Sequence, residues 1–204
     1  MESLKLHYAN STVHLALFNN VTNSSTLRQR LINASTLADD DEGERERSIV
    51  DYAFIDASMI TSRFHLMTAV TQALLAQANN SLKSKTLHSE VIWMLEPGSN
   101  ISEALKHFGL SANTKHLLLV RIQQGGGETA EDVEKGMRAI VEGELASLDQ
   151  LGRLPNDGTN FKSLRKIYKL NSDAALASLQ PGTPELLSTL DQIVTSQVAL
   201  KSVM

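Results

Sequence analysis

Residues 83–122 constrain the fold more than any other part of this 204-residue sequence, because two apolar runs enclose one short helix signal there. The runs are residues 91–95 (VIWML) and 116–122 (HLLLVRI), and turn residues bound both of them. Short, bulky, well-bounded runs of this kind are typical of strands buried in a sheet. We therefore predict that both runs are strands.

The segment between the two runs carries the boundary signals of a helix. Asn100 and Glu103 have the spacing of a capping box, and Gly109 stands where a left-handed residue would close the helix. These signals predict a helix over residues 101–108. Four apolar residues share one face of it at helical spacing: Ile101, Ala104, Leu105 and Phe108.

The rest of the chain contains further strand and helix patterns. Residues 4–8 and 13–18 are apolar or alternating runs around a turn, which predicts an N-terminal hairpin. Helical periodicity recurs in residues 24–34, 58–78, 129–143, 161–170 and 183–198. The pattern predicts an α+β fold with a mainly antiparallel central sheet of about four or five strands and helices packed against it.

The chain has the composition of a single globular domain. Hydrophobic residues make up 42% of it, and no long linker divides residues 1–204. Residues 38–48 are almost entirely polar and acidic, so we expect a mobile acidic loop there, and residues 123–128 predict a glycine-rich loop. The acidic segment accounts for the net charge of −4, which leaves residues 83–121 and 161–170 comparatively basic.

Several function classes have no support in the sequence. The chain has no cysteine, which excludes disulfides and thiolate chemistry, and it lacks both a signal-peptide pattern and an apolar run long enough to span a membrane. No catalytic or phosphate-binding motif is present, and the six histidines are scattered singly. We therefore expect neither an enzyme nor a bound metal or cofactor.

Three motifs resemble one known family. Residues 83–90 (KSKTLHSE), 100–113 (NISEALKHFGLSAN) and 166–170 (KIYKL) are similar to the PRPK-binding protein family, the small kinase-binding subunit of the KEOPS complex, also called EKC. The resemblance implies a non-catalytic subunit that binds the small atypical kinase/ATPase of that complex and contacts its other subunits indirectly. It also implies help in recruiting tRNA, including its CCA end, for threonylcarbamoyl-adenosine modification in the cytoplasm and nucleus.

The motifs suggest two sets of site residues, although each has an ordinary structural explanation. Apolar residues at helical spacing usually belong to a core, and lysine stripes are usually solvated faces. The candidate kinase-binding residues are Ile101, Leu105, Ile167 and Tyr168. The candidate tRNA-binding residues are Lys83, Lys85, Lys162, Arg165, Lys166 and Lys169. Two alternatives stay open: a free-standing RNA-binding module, and an enzyme acting on a small molecule.

Overall fold

The computed structural model describes residues 1–156, 158–180 and 183–201, apart from the side chain of Tyr8. The chain forms two compact units. The first, which we call the sheet unit, comprises Met1–Asp56 and Gly109–Ser147. The second, the helical unit, comprises Ala57–Phe108 and Leu148–Met204. The prediction of a single domain over residues 1–204 stays a prediction.

The elements have the following bounds. The strands are β1 (Glu2–Leu6), β2 (Ser11–Asn19), β3 (Ala53–Asp56), β4 (Leu117–Gln124) and β5 (Glu144–Ala146). The α-helices are α1 (Ser24–Thr36), α2 (Asp41–Ile49), α3 (Arg63–Ala78), α4 (Leu87–Leu95), α5 (Ile101–Phe108), α6 (Ala130–Ile140), α7 (Phe161–Ile167), α8 (Ala174–Ala177) and α9 (Pro184–Leu200).

The sheet unit is built on antiparallel pairings. The strand order is β1-β2-β4-β3, and β5 pairs with β2 beside this path, which gives five strands in the described part of the chain. Asn10 in the left-handed conformation helps the chain turn back from β1 into β2, as the hairpin pattern predicts. The predicted α+β class with a mainly antiparallel sheet is confirmed.

The prediction of a strand at residues 91–95 is wrong, because these residues form the last turns of α4. Thr86 and Ser89 make a capping box at the start of this helix, and every residue from 91 to 95 is buried. A helix buried on all sides has an apolar run without amphipathic spacing, which resembles a buried strand. The predicted strand at 116–122 is confirmed as β4 and the predicted helix at 101–108 as α5.

Most of the predicted acidic loop is helical, which corrects the prediction for residues 41–48. Asp40 caps α2 by accepting a hydrogen bond from the Gly43 backbone N–H at 2.8 Å. Arg30 on α1 pairs with Glu46 at 3.1 Å, and Arg47 pairs with Asp39 at 3.0 Å. In the predicted glycine-rich loop, β4 extends to Gln124, and Gly125 and Gly126 have positive φ angles of 73° and 107°.

In the helical unit, two helices pack directly against α3. This helix contacts α4 on one side and α9 on another, and α5 packs against α4. Local signals mark the ends: Ser62 caps α3, while Thr183 caps α9 with Pro184 in its first turn. In the described ranges, no helix is both long and apolar enough to cross a membrane.

Candidate interaction surfaces on the helical unit

A buried carboxylate shapes the segment that carries Lys83 and Lys85. Glu90 is fully buried, and its carboxylate accepts hydrogen bonds from the backbone N–H groups of Lys83 (3.0 Å) and Ser84 (2.7 Å). The Ser84 hydroxyl donates to the same carboxylate at 2.6 Å. These hydrogen bonds fix the backbone just before α4. The exposed side chains of Lys83 and Lys85 therefore extend from a backbone of defined conformation.

The helix α5 presents one large apolar side chain to solvent. Asn100 accepts a hydrogen bond from the Ser102 backbone N–H at 2.8 Å and so begins the helix. Ala104 and Phe108 are fully buried, whereas Leu105 is 45% exposed and Ile101 is partly exposed. Sequence periodicity put all four on one buried face, but the structure brings only two of them fully into the core.

Tyr168 lies in the core of the helical unit. Its hydroxyl donates to the Leu95 carbonyl, and its oxygen lies 3.3 Å from His65 Nε2. The Phe108 and His65 rings both meet the Tyr168 ring edge to face. Only 3% of Tyr168 is exposed, so it cannot contact a partner directly. It therefore stabilises the motif at residues 166–170 from inside the core.

His65 continues this buried hydrogen-bond chain toward α9. Its Nδ1 lies 3.2 Å from the Thr61 hydroxyl, which donates to the Asp191 carboxylate. Burial lowers the pKa of His65 to about 3, and burial, reinforced by the Glu96 carboxylate, raises the pKa of Tyr168. Both groups are therefore neutral at pH 7. The network is satisfied when His65 carries its proton on Nε2 and donates it to the tyrosine oxygen.

The four cations predicted to form one stripe do not share one helix face. The helix α7 ends at Ile167, earlier than predicted, because residues 165–170 form a Schellman motif with Lys169 in the left-handed conformation (φ 57°). Its two hydrogen bonds run from Leu170 N–H to Arg165 O and from Lys169 N–H to Lys166 O. Lys162 and Arg165 line a cavity of about 690 Å³, whereas Lys166 and Lys169 do not. Ile167 is partly exposed.

Lys201 holds the connection between α4 and α5, a role that no sequence pattern indicates. Its ammonium group donates to the carbonyls of Trp93, Glu96 and Gly98 and lies 3.5 Å from the centre of the Trp93 indole. Burial lowers the pKa of Lys201 to about 8. The contact joins the end of α9 to the loop that leads into α5, so it helps to fix where Leu105 is presented.

No potential metal cluster exists among the residues that the structure describes.

Comparison with known proteins gives a consistent result over nearly the whole sequence. A sequence model of the family described as kinase binding protein CGI-121 matches residues 18–202. The EKC/KEOPS complex subunit cgi121 of Aspergillus terreus is 33% identical over 202 residues, which cover 98% of this chain and 96% of the relative. The subunit of the same name from Coccidioides immitis is 35% identical over 171 residues, covering 80% of this chain and 72% of the relative.

The match also holds for a relative with a slightly lower sequence identity. The EKC/KEOPS complex subunit CGI121 of Cryptococcus neoformans is 30% identical over 226 residues, covering 95% of this chain and 94% of the relative. The three motifs at residues 83–90, 100–113 and 166–170 all lie within the matched range of the family model. Since this range spans both units of the fold, the chain belongs to the kinase binding protein CGI-121 family.

Proposed function

We propose that this chain is a non-catalytic, kinase-binding subunit of an EKC/KEOPS complex. The observation that carries the proposal is the family match over residues 18–202, together with near full-length relatives that are named as subunits of that complex. The partner is the small atypical kinase/ATPase of the complex, and its other subunits are contacted indirectly. The complex modifies tRNA with threonylcarbamoyl-adenosine, and its work takes place in the cytoplasm and nucleus.

The kinase surface in this proposal centres on α5. Leu105 is a large apolar side chain exposed on a helix whose neighbouring positions Ala104 and Phe108 are buried. A rigidly supported apolar side chain of this kind is a typical anchor of a protein interface. Ile101 and Ile167 are partly exposed and contribute to the same proposed surface, while the buried Tyr168 supports it from behind.

A charge placed at Leu105 tests this surface. Leu105→Glu should reduce co-purification with the kinase subunit at least about tenfold, because the carboxylate would be desolvated in an apolar contact. Leu75→Glu is the matched control, since Leu75 is 43% exposed on α3 and the substitution is the same. Equal binding by both folded variants would reject α5 as the kinase surface.

The tRNA part of the proposal rests on exposed cations. Lys83, Lys85, Lys166 and Lys169 are exposed, and neither hydrogen bonds nor ion pairs engage their ammonium groups within the described residues. Such groups can neutralise phosphates, and the unpaired CCA end of a tRNA offers phosphates without a paired helix. Lys162 and Arg165 belong to the same proposed set, and both line the cavity of about 690 Å³.

Binding of tRNA by the assembled complex tests these residues pair by pair. We expect Lys83→Glu/Lys85→Glu and Lys166→Glu/Lys169→Glu to weaken binding and to lower the salt slope by about one unit for each phosphate that is no longer neutralised. Lys162→Glu/Arg165→Glu tests the remaining pair. The control Lys5→Glu/Lys115→Glu makes the same charge change at exposed positions of the sheet unit. If none of the three double mutants changes the affinity or its salt dependence, and trimming the CCA end also has no effect, the chain contributes kinase binding alone.

A further inference from the structure

The cavity beside α7 has the size of a specific binding pocket. Its volume of about 690 Å³ falls in the range of about 300–1,000 Å³ that is usual for ligand sites. Four buried leucines form its apolar part: Leu154 before α7, Leu176 on α8, and Leu186 and Leu190 on α9. The apolar wall is thus assembled from three separate segments of the helical unit.

The polar part of the cavity is cationic. Arg153, Lys162 and Arg165 line it, and none of the described residues that line it is acidic. The Nε atom of Arg165 is buried and lacks a hydrogen-bond partner within the described residues. A buried donor without an acceptor costs free energy, so the site favours a ligand that brings an acceptor to Arg165.

The helix α7 brings two of these cations to the cavity. Asn160 caps the helix through the Ser163 backbone N–H at 3.0 Å, and Leu164 is fully buried on the core side. Lys162 and Arg165 are three residues apart and so lie together on another face, which lines the cavity. Gly152 also lines the cavity, and its backbone lies too close to the Thr61 carbonyl to admit a side chain.

We propose that this cavity is a docking site for a short acidic segment of a partner protein. An aliphatic side chain of the segment fills the leucine-lined part, and a neighbouring carboxylate pairs with Arg165 and Lys162. The lining favours a peptide over RNA, because only one aromatic side chain, Phe161, is available for base stacking, whereas the apolar lining is otherwise leucine. The inference goes beyond the proposed function and requires neither the α5 surface nor tRNA binding. It assigns Lys162 and Arg165 to the peptide in place of tRNA phosphates, and leaves the other four cations of the tRNA set unchanged.

Fluorescence anisotropy with designed probes tests the site on the full chain. The first probe is a fluorescein-labelled octapeptide of alternating aspartate and leucine. Two matched peptides replace every aspartate by asparagine or every leucine by serine, and an octauridylate of the same length represents RNA. We expect the acidic aliphatic peptide to bind at least about tenfold more tightly than each of the other three probes. Equal or tighter binding of the octauridylate would overturn the proposal in favour of RNA.

Variants of the chain locate the bound peptide. Lys162→Gln/Arg165→Gln should weaken binding at least about tenfold, while Lys166→Gln/Lys169→Gln removes the same charge outside the cavity and should change it less than about twofold. Leu187→Trp adds volume at a half-buried lining position and should block the peptide without removing a charge. If the two glutamine pairs behave alike, or if folded Leu187→Trp binds normally, the cavity is not the docking site.

Discussion

Replacing Tyr168 by phenylalanine tests whether this residue stabilises the core of the helical unit or contacts the kinase directly. The substitution removes one hydroxyl and keeps the ring, so the edge-to-face contacts with Phe108 and His65 can persist. It removes the donor of the Leu95 carbonyl and the acceptor that faces His65 Nε2. The Leu95 carbonyl belongs to the last turn of α4, where carbonyls have no partner inside the helix.

The expected cost is that of leaving buried polar groups unpaired. One buried polar group without its partner costs about 1–3 kcal/mol. In Tyr168→Phe the Leu95 carbonyl loses its donor, and His65 Nε2 loses an acceptor that is farther away and contributes less. For a chain of this length, each kcal/mol lowers the melting temperature by about 2–4 °C. We therefore expect a fall of about 2–12 °C in the melting temperature of the chain.

Denaturation followed by Trp93 fluorescence and by circular dichroism measures this effect. Trp93 is the only tryptophan and lies on α4, so its emission reports on the helical unit. Tyr52→Phe is the control, because no hydrogen bond engages the Tyr52 hydroxyl among the described residues and its ring contact with Arg121 is kept. A Tyr168→Phe protein as stable as wild type but defective in kinase binding would refute the role of Tyr168 as a buried support.

Two further predictions concern buried ionisable groups. Glu90→Gln replaces a carboxylate that accepts from three donors by a neutral amide with one acceptor oxygen. It should lower the free energy of unfolding by about 2–4 kcal/mol in urea titrations, whereas the exposed Glu185→Gln should change it by less than about 0.5 kcal/mol. Because burial lowers the native pKa of His65 to about 3 from 6.5, the unfolded chain binds a proton that the native chain does not, and stability is lost as pH falls below about 6.5. Between pH 7 and pH 5 this should remove about 2 kcal/mol from the wild type, and a folded His65→Gln variant showing the same loss would contradict the assignment.

Short-range signals in the sequence determined much of the fold. The hairpin of β1 and β2, the strand β4 and the capped helices α5 and α9 all occur where the sequence predicts them. Each is marked by residues within a few positions of its ends, such as Asn100 for α5 and Thr183 with Pro184 for α9. Capping and turn preferences act locally, so they can be identified without knowing what the element packs against.

The three motifs identified the protein family correctly, but the role of each residue in them depended on packing. Leu105 and Tyr168 have similar positions in apolar patterns, yet one is 45% exposed and the other is buried. The lysines and arginine of residues 162–169 were predicted to form one stripe, whereas the Schellman motif at the end of α7 separates Lys169 from it. Periodicity gives the face of a helix but not the neighbour that covers the face.

Only the tertiary structure decided that residues 91–95 are helical and that a cavity opens beside α7. The capping box at Thr86 begins α4, but its last carbonyls are satisfied from distant parts of the chain, by the Tyr168 hydroxyl at Leu95 and the Lys201 ammonium at Trp93. Likewise, the cavity lies between α7, α8 and α9, so no single segment of the sequence encodes it. The sequence determines the local start of an element, whereas partners that come from far along the chain exist only after folding has brought them together.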